Sequence, residues 1–351
     1  MLTASVGGLC AQQPKPSTVA SSGSLVPAFT HQSADLAIVH ASVLDIRTGE
    51  TLPDRTVVID KGLITGIQRS TRGVARANAR TIDARGRLLS PAFVDVHFHT
   101  MAILGDSMTP TGGAITALTM SADSINAYRR LFAQLYMPYG VTVVRDVGSA
   151  ERDLPMLLAW TKQSPDAPDF YPVGAQLVSA ESGRVSPPFQ VTLADSQTAA
   201  AKVREYHDLG IRNVKLYWRL REPEFKGALS EAQKLGMNVT GHVDQQVMTI
   251  GRALDLGLRN VEHIHTLALS VMRESELDSL YALFSTLLGV SSNRDPGIFF
   301  LATTEYWNHV GPDDPRIVDL IAKFRADDAS LTPTLHVIAQ RFGLTYSARR
   351  F

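Results

Sequence analysis

Between Ser196 and His265 the chain repeats one unit: an amphipathic stretch, a glycine that stops it, then a short apolar run. Ser196 to Gly210 has helical spacing, with Ala200, Val203, Tyr206 and Leu209 on one face and Gly210 as the stop. Ile211 to Trp218 reads as the strand that follows. Leu229 to Gly236 and Met237 to Val243 form the next helix–strand pair, and Val247 to Gly257 and Asn260 to Ile264 the one after. The period, about 25 residues, is the length of a β/α unit, and alternating βαβα predicts a parallel sheet covered by helices. Further strands are expected at Phe93–His99, Gly140–Val144, Tyr171–Val178 and Ser330–Leu335, with helices over Glu274–Leu288 and Ile317–Arg325. That makes seven strands, near 94, 142, 173, 213, 239, 261 and 332, where a closed (β/α)8 barrel needs eight. The expected fold is α/β: a TIM (β/α)8-type barrel over 91–351, incomplete at its C-terminal end.

Ahead of the barrel the pattern differs. From Asp35 to Ser90 short apolar runs alternate with turns, and Asp60-Lys-Gly62 is a hairpin turn between Thr56–Ile59 and Leu63–Ile67. Residues 35–90 are expected to form a small antiparallel β domain, an N-terminal β-sandwich segment without chemistry of its own. Residues 1–34 read as a leader or disordered tether. Gln12 to Ser33 is rich in Ser, Pro, Thr and Gln, and Met1 to Ala11 reads as the remains of an export signal, although no basic residue precedes Lys15. The expectation is a periplasmic or secreted protein, with a cytoplasmic one as the alternative. Lys+Arg and Asp+Glu are both 34, so the zero formal charge gives no footprint for nucleic acid. No apolar run reaches the ~18 residues of a transmembrane helix.

The chemistry concentrates at strand ends. Phe93-Val-Asp-Val-His-Phe-His99 reads as a buried strand ending in two imidazoles one residue apart. Residues i and i+2 of a strand point to one side, so His97 and His99 can approach a common point. Lys215, His242 and His263 lie in or just after three later apolar runs. In a parallel barrel the C-terminal strand ends share one rim. Imidazole suits divalent transition metals, Zn2+ first among them here, and four imidazoles from three strands would hold one or two ions. Lysine joins such a site only without its charge, and one route is reaction with CO2 to a carbamate whose oxygens can bridge two ions. A pair of ions roughly 3.5–4 Å apart would activate a bridging water and polarise a carbonyl.

This constellation resembles the amidohydrolase superfamily, and the resemblance runs from about Asp35 to the end of the chain. Val57–Ile64 is similar to the family's strand-turn-strand entry and Thr81-Ile-Asp-Ala-Arg-Gly86 to its lead-in. Ser90-Pro-Ala-Phe-Val-Asp-Val-His-Phe-His-Thr100 is close to its defining phrase. Tyr139–Asp146, Asn260-Val-Glu-His263 and Thr332-Pro-Thr-Leu335 resemble its second, sixth and seventh strands. The resemblance implies that His97 and His99 bind the more buried metal, Lys215 is the bridging carbamate, and His242 and His263 bind the second metal. It implies hydrolysis of amide, peptide or cyclic-amide C–N bonds in a small-molecule or dipeptide-like substrate. The Lys215 phrase looks most like Xaa-Pro dipeptidases, and the whole is also similar to imidazolonepropionase-like members.

One departure stands out. The family's general-base Asp, usually in a Gly-Thr-Asp or Gly-Ser-Asp phrase on strand eight, has no counterpart after Thr334. The sequence reading is a chain truncated by about 80–120 residues, with little hydrolase activity alone. The alternatives are a catalytically dead binding relative or gene fragment, or a lactone or phosphotriester hydrolase. Exposed barrel edges should favour homo-oligomers. Tyr217, His265 and Arg145 are candidate substrate contacts, Arg145 equally a structural ion pair with Asp146, and Asp95 is expected to brace the site. Asp295, Asp313 and Asp314 sit in loop-like contexts, and Met101 to Met120 reads as a loop over the barrel mouth. His31, His40, His207, His309 and His336 have no partner at metal spacing.

Overall fold

The structure, a computed structural model, describes residues 36–71, 80–100, 121–183, 185–243, 247–288, 305, 307 and 313–335. The expected leader and tether (1–34), the loop Met101–Met120, Asp295, His31, His309 and His336 lie outside the described residues. The chain divides into two compact units, Met1–Pro91 and Ala92–Phe351.

In the first unit, β1 (Leu36–Leu44), β2 (Thr51–Asp60) and β3 (Leu63–Arg69) form an antiparallel meander. The β2–β3 turn has positive φ at both central residues, 49° at Lys61 and 76° at Gly62, the geometry whose twist suits a two-residue hairpin. The sequence expectation of an antiparallel sandwich needs correcting. β4 (Arg80–Asp83) and β5 (Leu88–Leu89) both run parallel to β1, so the described residues form one mixed sheet.

Among the described residues the second unit holds two parallel sheets. One has the order β6 (Phe93–Phe98), β7 (Val141–Asp146), β8 (Asp169–Tyr171). The other has the order β10 (Gln190–Leu193), β9 (Gln176–Ser179), β11 (Asn213–Leu216), β12 (Asn238–Gly241), β13 (Asn260–Glu262), β14 (Ser330–Thr332). The expected third strand, Tyr171–Val178, is thus two strands, one in each sheet. Pro172 has no N–H for a ladder and Gly174 sits at φ 75°, so the strand breaks between them. β10 was not foreseen, and among the described residues the sheets are not closed into a barrel.

The helices follow the glycine stops. α1 is Ala122–Tyr136, α2 Leu154–Trp160, α3 Ser196–Asp208, α4 Glu222–Lys234, α5 Ile250–Asp255, α6 His265–Val271, α7 Glu274–Leu288 and α8 Pro315–Ala326. Asp195 and Thr198 make a reciprocal capping box at the start of α3. Its buried face is Ala199, Val203 and Tyr206, displacing the expected Ala200 and the exposed Leu209. α4 begins seven residues before the expected Leu229, because Pro223 in its first turn starts a helix as readily as it would end one. No described helix is long and apolar enough to cross a membrane.

Strand alternation decides what lies on each side of the sheets. Val144, Val214, Leu216 and Val261 join the large apolar core with Phe132, Trp160, Tyr206, Phe225 and Leu254. Their strand neighbours Arg145, Lys215 and Glu262 then project to the other side. A lysine and a glutamate with no exposed surface are the consequence, and they need partners there.

Candidate metal centre

The four imidazoles and the lysine converge. The ring centroid of His97 is 5.3 Å from that of His99 and 4.6 Å from that of His263, and the His242 and His263 rings are 4.5 Å apart. Three rings have Nδ1 engaged by protein oxygens: His97 by Glu262 Oε2 at 2.6 Å, His99 by the Gly148 carbonyl at 3.1 Å, and His263 by Thr334 Oγ1 at 2.9 Å. That leaves Nε2 of each as the free donor atom. His242 continues the β11–β12 ladder through its backbone N–H to the Leu216 carbonyl at 2.9 Å.

His263 occupies an unusual backbone position. Its φ is 72°, left-handed space that a bulky residue adopts only when its surroundings enforce it. The enforcement is visible: its N–H donates to the Thr332 carbonyl at 2.7 Å, and its own carbonyl accepts from the Thr266 hydroxyl at 2.7 Å.

Lys215 is fully buried, and its Nζ makes no hydrogen bond; its nearest charge is Glu262 Oε1 at 3.9 Å. Burial, opposed by Glu262, pushes its amine down to about 8. Burial also lowers the four imidazoles, His99 to about 4. Burial alone would raise the Glu262 carboxyl, but Lys215 and His97 outweigh it and hold the group at about 2.

By residue type this is a donor set of the kind divalent cations take. The rings are biased neutral, as metal binding requires, and a buried amine without a hydrogen bond is a group awaiting a partner. Among the described residues no group of three or more His, Cys, Asp or Glu is placed so that it could hold a metal ion. The imidazoles are gathered without being closed.

The remaining sequence candidates fall as follows. The Tyr217 ring stands edge-on to His242 at 5.0 Å, and it lines a crevice no larger than a water molecule with Trp218, Phe225, His242 and Met248. The His265 ring stacks on His263 at 5.1 Å. Arg145 is turned inward: Nη2 donates to Glu262 Oε1 at 2.9 Å and Asn260 Oδ1 at 3.1 Å, and Nε to the Val96 carbonyl at 2.9 Å. Its ion-pair partner is therefore Glu262 and not Asp146, which instead accepts from the Thr100 N–H and the Ser149 hydroxyl at 2.9 Å each. Asp95 accepts from the His97 N–H at 3.0 Å and from the Tyr136 hydroxyl at 3.2 Å. Sequence reasoning overlooked Glu262. The signal was present: an acid inside an apolar strand, two residues after a polar Asn260 on the same face.

No protein-family model matches the chain. An adenine deaminase from Shewanella halifaxensis is 32% identical over 94 residues, 27% of this chain and 15% of that protein. The chain thus spans a small part of that curated relative. Among solved structures, a prolidase complexed with N-methylphosphonate-L-proline is 19% identical with a TM-score of 0.55, over 88% of this chain and 83% of that one. An amidohydrolase is 17% identical with a TM-score of 0.52, over 85% and 78%. The structural neighbours are amidohydrolase-superfamily proteins, and the chain has their fold.

Proposed function

We propose that this chain is a metal-dependent hydrolase of carbon–nitrogen bonds, acting on an amide, peptide or cyclic amide. The observation that carries the reading is the gathering of His97, His99, His242 and His263 around a fully buried lysine that makes no hydrogen bond. In this proposal His97, His99, His242 and His263 would hold divalent metal, and Lys215, once converted by CO2 to its carbamate, would complete the donor set. Zinc is the ion an imidazole-rich, low-charge set suits best. A divalent ion there supplies Lewis acidity toward a carbonyl and toward water.

The chain's own residues supply binding and shape. Tyr217 and His265, whose rings lie against His242 and His263, are the side chains placed to meet a small or dipeptide-like substrate beside the imidazoles. The fold shared with a prolidase makes Xaa-Pro dipeptides the first substrates to try, ahead of lactones and phosphotriesters. The carboxylates nearest the ligands are already committed: Asp95 to His97 and Tyr136, Asp146 to Thr100 and Ser149, Glu262 to His97, Arg145 and Thr240. None is free to take a proton from water, so turnover should be weak beside metal binding.

The test is a hydrolysis panel of Xaa-Pro dipeptides, N-acyl amino acids, lactones and phosphotriesters, run on protein purified with zinc and bicarbonate. The expected outcome is slow amide hydrolysis, lost on chelation and restored by zinc. Zinc-loaded protein that cleaves no C–N bond would overturn the reading in favour of a binding relative.

A further inference from the structure

One buried carboxylate touches both halves of the gathered site. Glu262 is the last residue of β13 and has no exposed surface. Its Oε2 lies 2.6 Å from His97 Nδ1 on β6, a strand of the other sheet. Its Oε1 accepts from Arg145 Nη2 at 2.9 Å, accepts from the Thr240 hydroxyl, and faces Lys215 Nζ at 3.9 Å. The two oxygens are thus divided between an imidazole and an amine.

We propose that Glu262 is the positioning carboxylate of this centre. Resting on the metal-site reading above, the inference gives this residue two tasks. With Oε2 it accepts the His97 Nδ1 proton and so fixes the tautomer in which Nε2 carries the lone pair. With Oε1 it faces the Lys215 amine at 3.9 Å without a hydrogen bond and places a negative charge beside it. Arg145 and Thr240 complete the arrangement by fixing that second oxygen, so the carboxylate cannot rotate away from His97. A glutamine has the same shape but only one acceptor oxygen, and that oxygen cannot serve His97 and Arg145 together. A carboxylate behind a ligating histidine is worth about 10–100-fold in metal affinity.

The experiment has two arms. In the first, nitrogen-detected imidazole NMR on metal-free, histidine-labelled wild-type protein reads the His97 tautomer, with the resonance assigned by its loss in His97→Asn. The expected result is a proton on Nδ1 and a bare Nε2. The opposite tautomer, or a rapid mixture of both, overturns the inference, and this reading needs no bound ion. In the second arm, Glu262→Gln and wild type are titrated with zinc against a competing chelator, with circular dichroism confirming equal folding. A 10–100-fold weaker zinc affinity, with His97 now sampling both tautomers, is expected. Equal affinity in a folded variant overturns the positioning role while leaving the metal site intact. Wild-type protein that takes up no zinc overturns the metal-site reading, and the tautomer arm still decides what Glu262 does to His97.

Discussion

Lys215→Met is expected to stabilise the metal-free protein while removing one member of the proposed donor set. The amine is fully buried, makes no hydrogen bond, and stands 3.9 Å from its nearest counter-charge. That distance gives weak compensation for the loss of hydration. Keeping an ammonium out of water costs several kcal/mol after relaxation, and an apolar chain of similar length removes that cost. Methionine has the required length and flexibility. Glu262 is not orphaned by the change, because Arg145, Thr240 and His97 remain. Urea unfolding of chelator-treated protein should therefore shift to a higher midpoint. In the same variant the zinc bound at saturation should fall, and the carbamate signal seen with labelled bicarbonate should vanish. Destabilisation by more than about 1 kcal/mol would mean that the amine is held productively without metal, contrary to the desolvation argument. Unchanged zinc uptake would remove Lys215 from the centre.

The second large effect lies outside the sheets. Trp160→Ala is expected to cost about 3–5 kcal/mol and to weaken zinc binding together with stability. The Trp160 ring is 1% exposed, stacks on Phe132 at 5.3 Å, and meets Phe170 edge-on at 5.3 Å. Phe132 in turn packs on Phe98 at 5.5 Å. Phe98 sits between His97 and His99 at the end of β6, so this aromatic wall holds the strand that presents them. Truncation leaves a void that a close-packed core closes only in part. Paired denaturation and zinc titration measure both consequences. A loss of under 1 kcal/mol would show that the wall is not what holds β6 in place.

Much of this was legible before any coordinates. The recurring glycines predicted where helices end, since Gly210, Gly236 and Gly257 all adopt positive φ just past α3, α4 and α5. The i, i+2 spacing of His97 and His99 predicted their convergence. Two kinds of information were not legible. Pairing partners depend on how far the chain travels between strands, so the split of Tyr171–Val178 between two sheets and the parallel placement of β4 were invisible to periodicity. Inward charge was the other gap. Arg145 and Glu262 are far apart in sequence, and only the meeting of two strands from different sheets brings guanidinium to carboxylate. A charged residue at an inward strand position should be read as half of such a pair, with the other half sought on other strands.

The measurement that bears most directly on the metal centre is zinc-edge anomalous diffraction from crystals grown with zinc and bicarbonate. The account predicts one or two strong peaks inside the cluster of His97, His99, His242 and His263, with added density on Lys215 Nζ. Zinc bound only elsewhere on the molecule, with those four rings unliganded and the lysine bare, would contradict it.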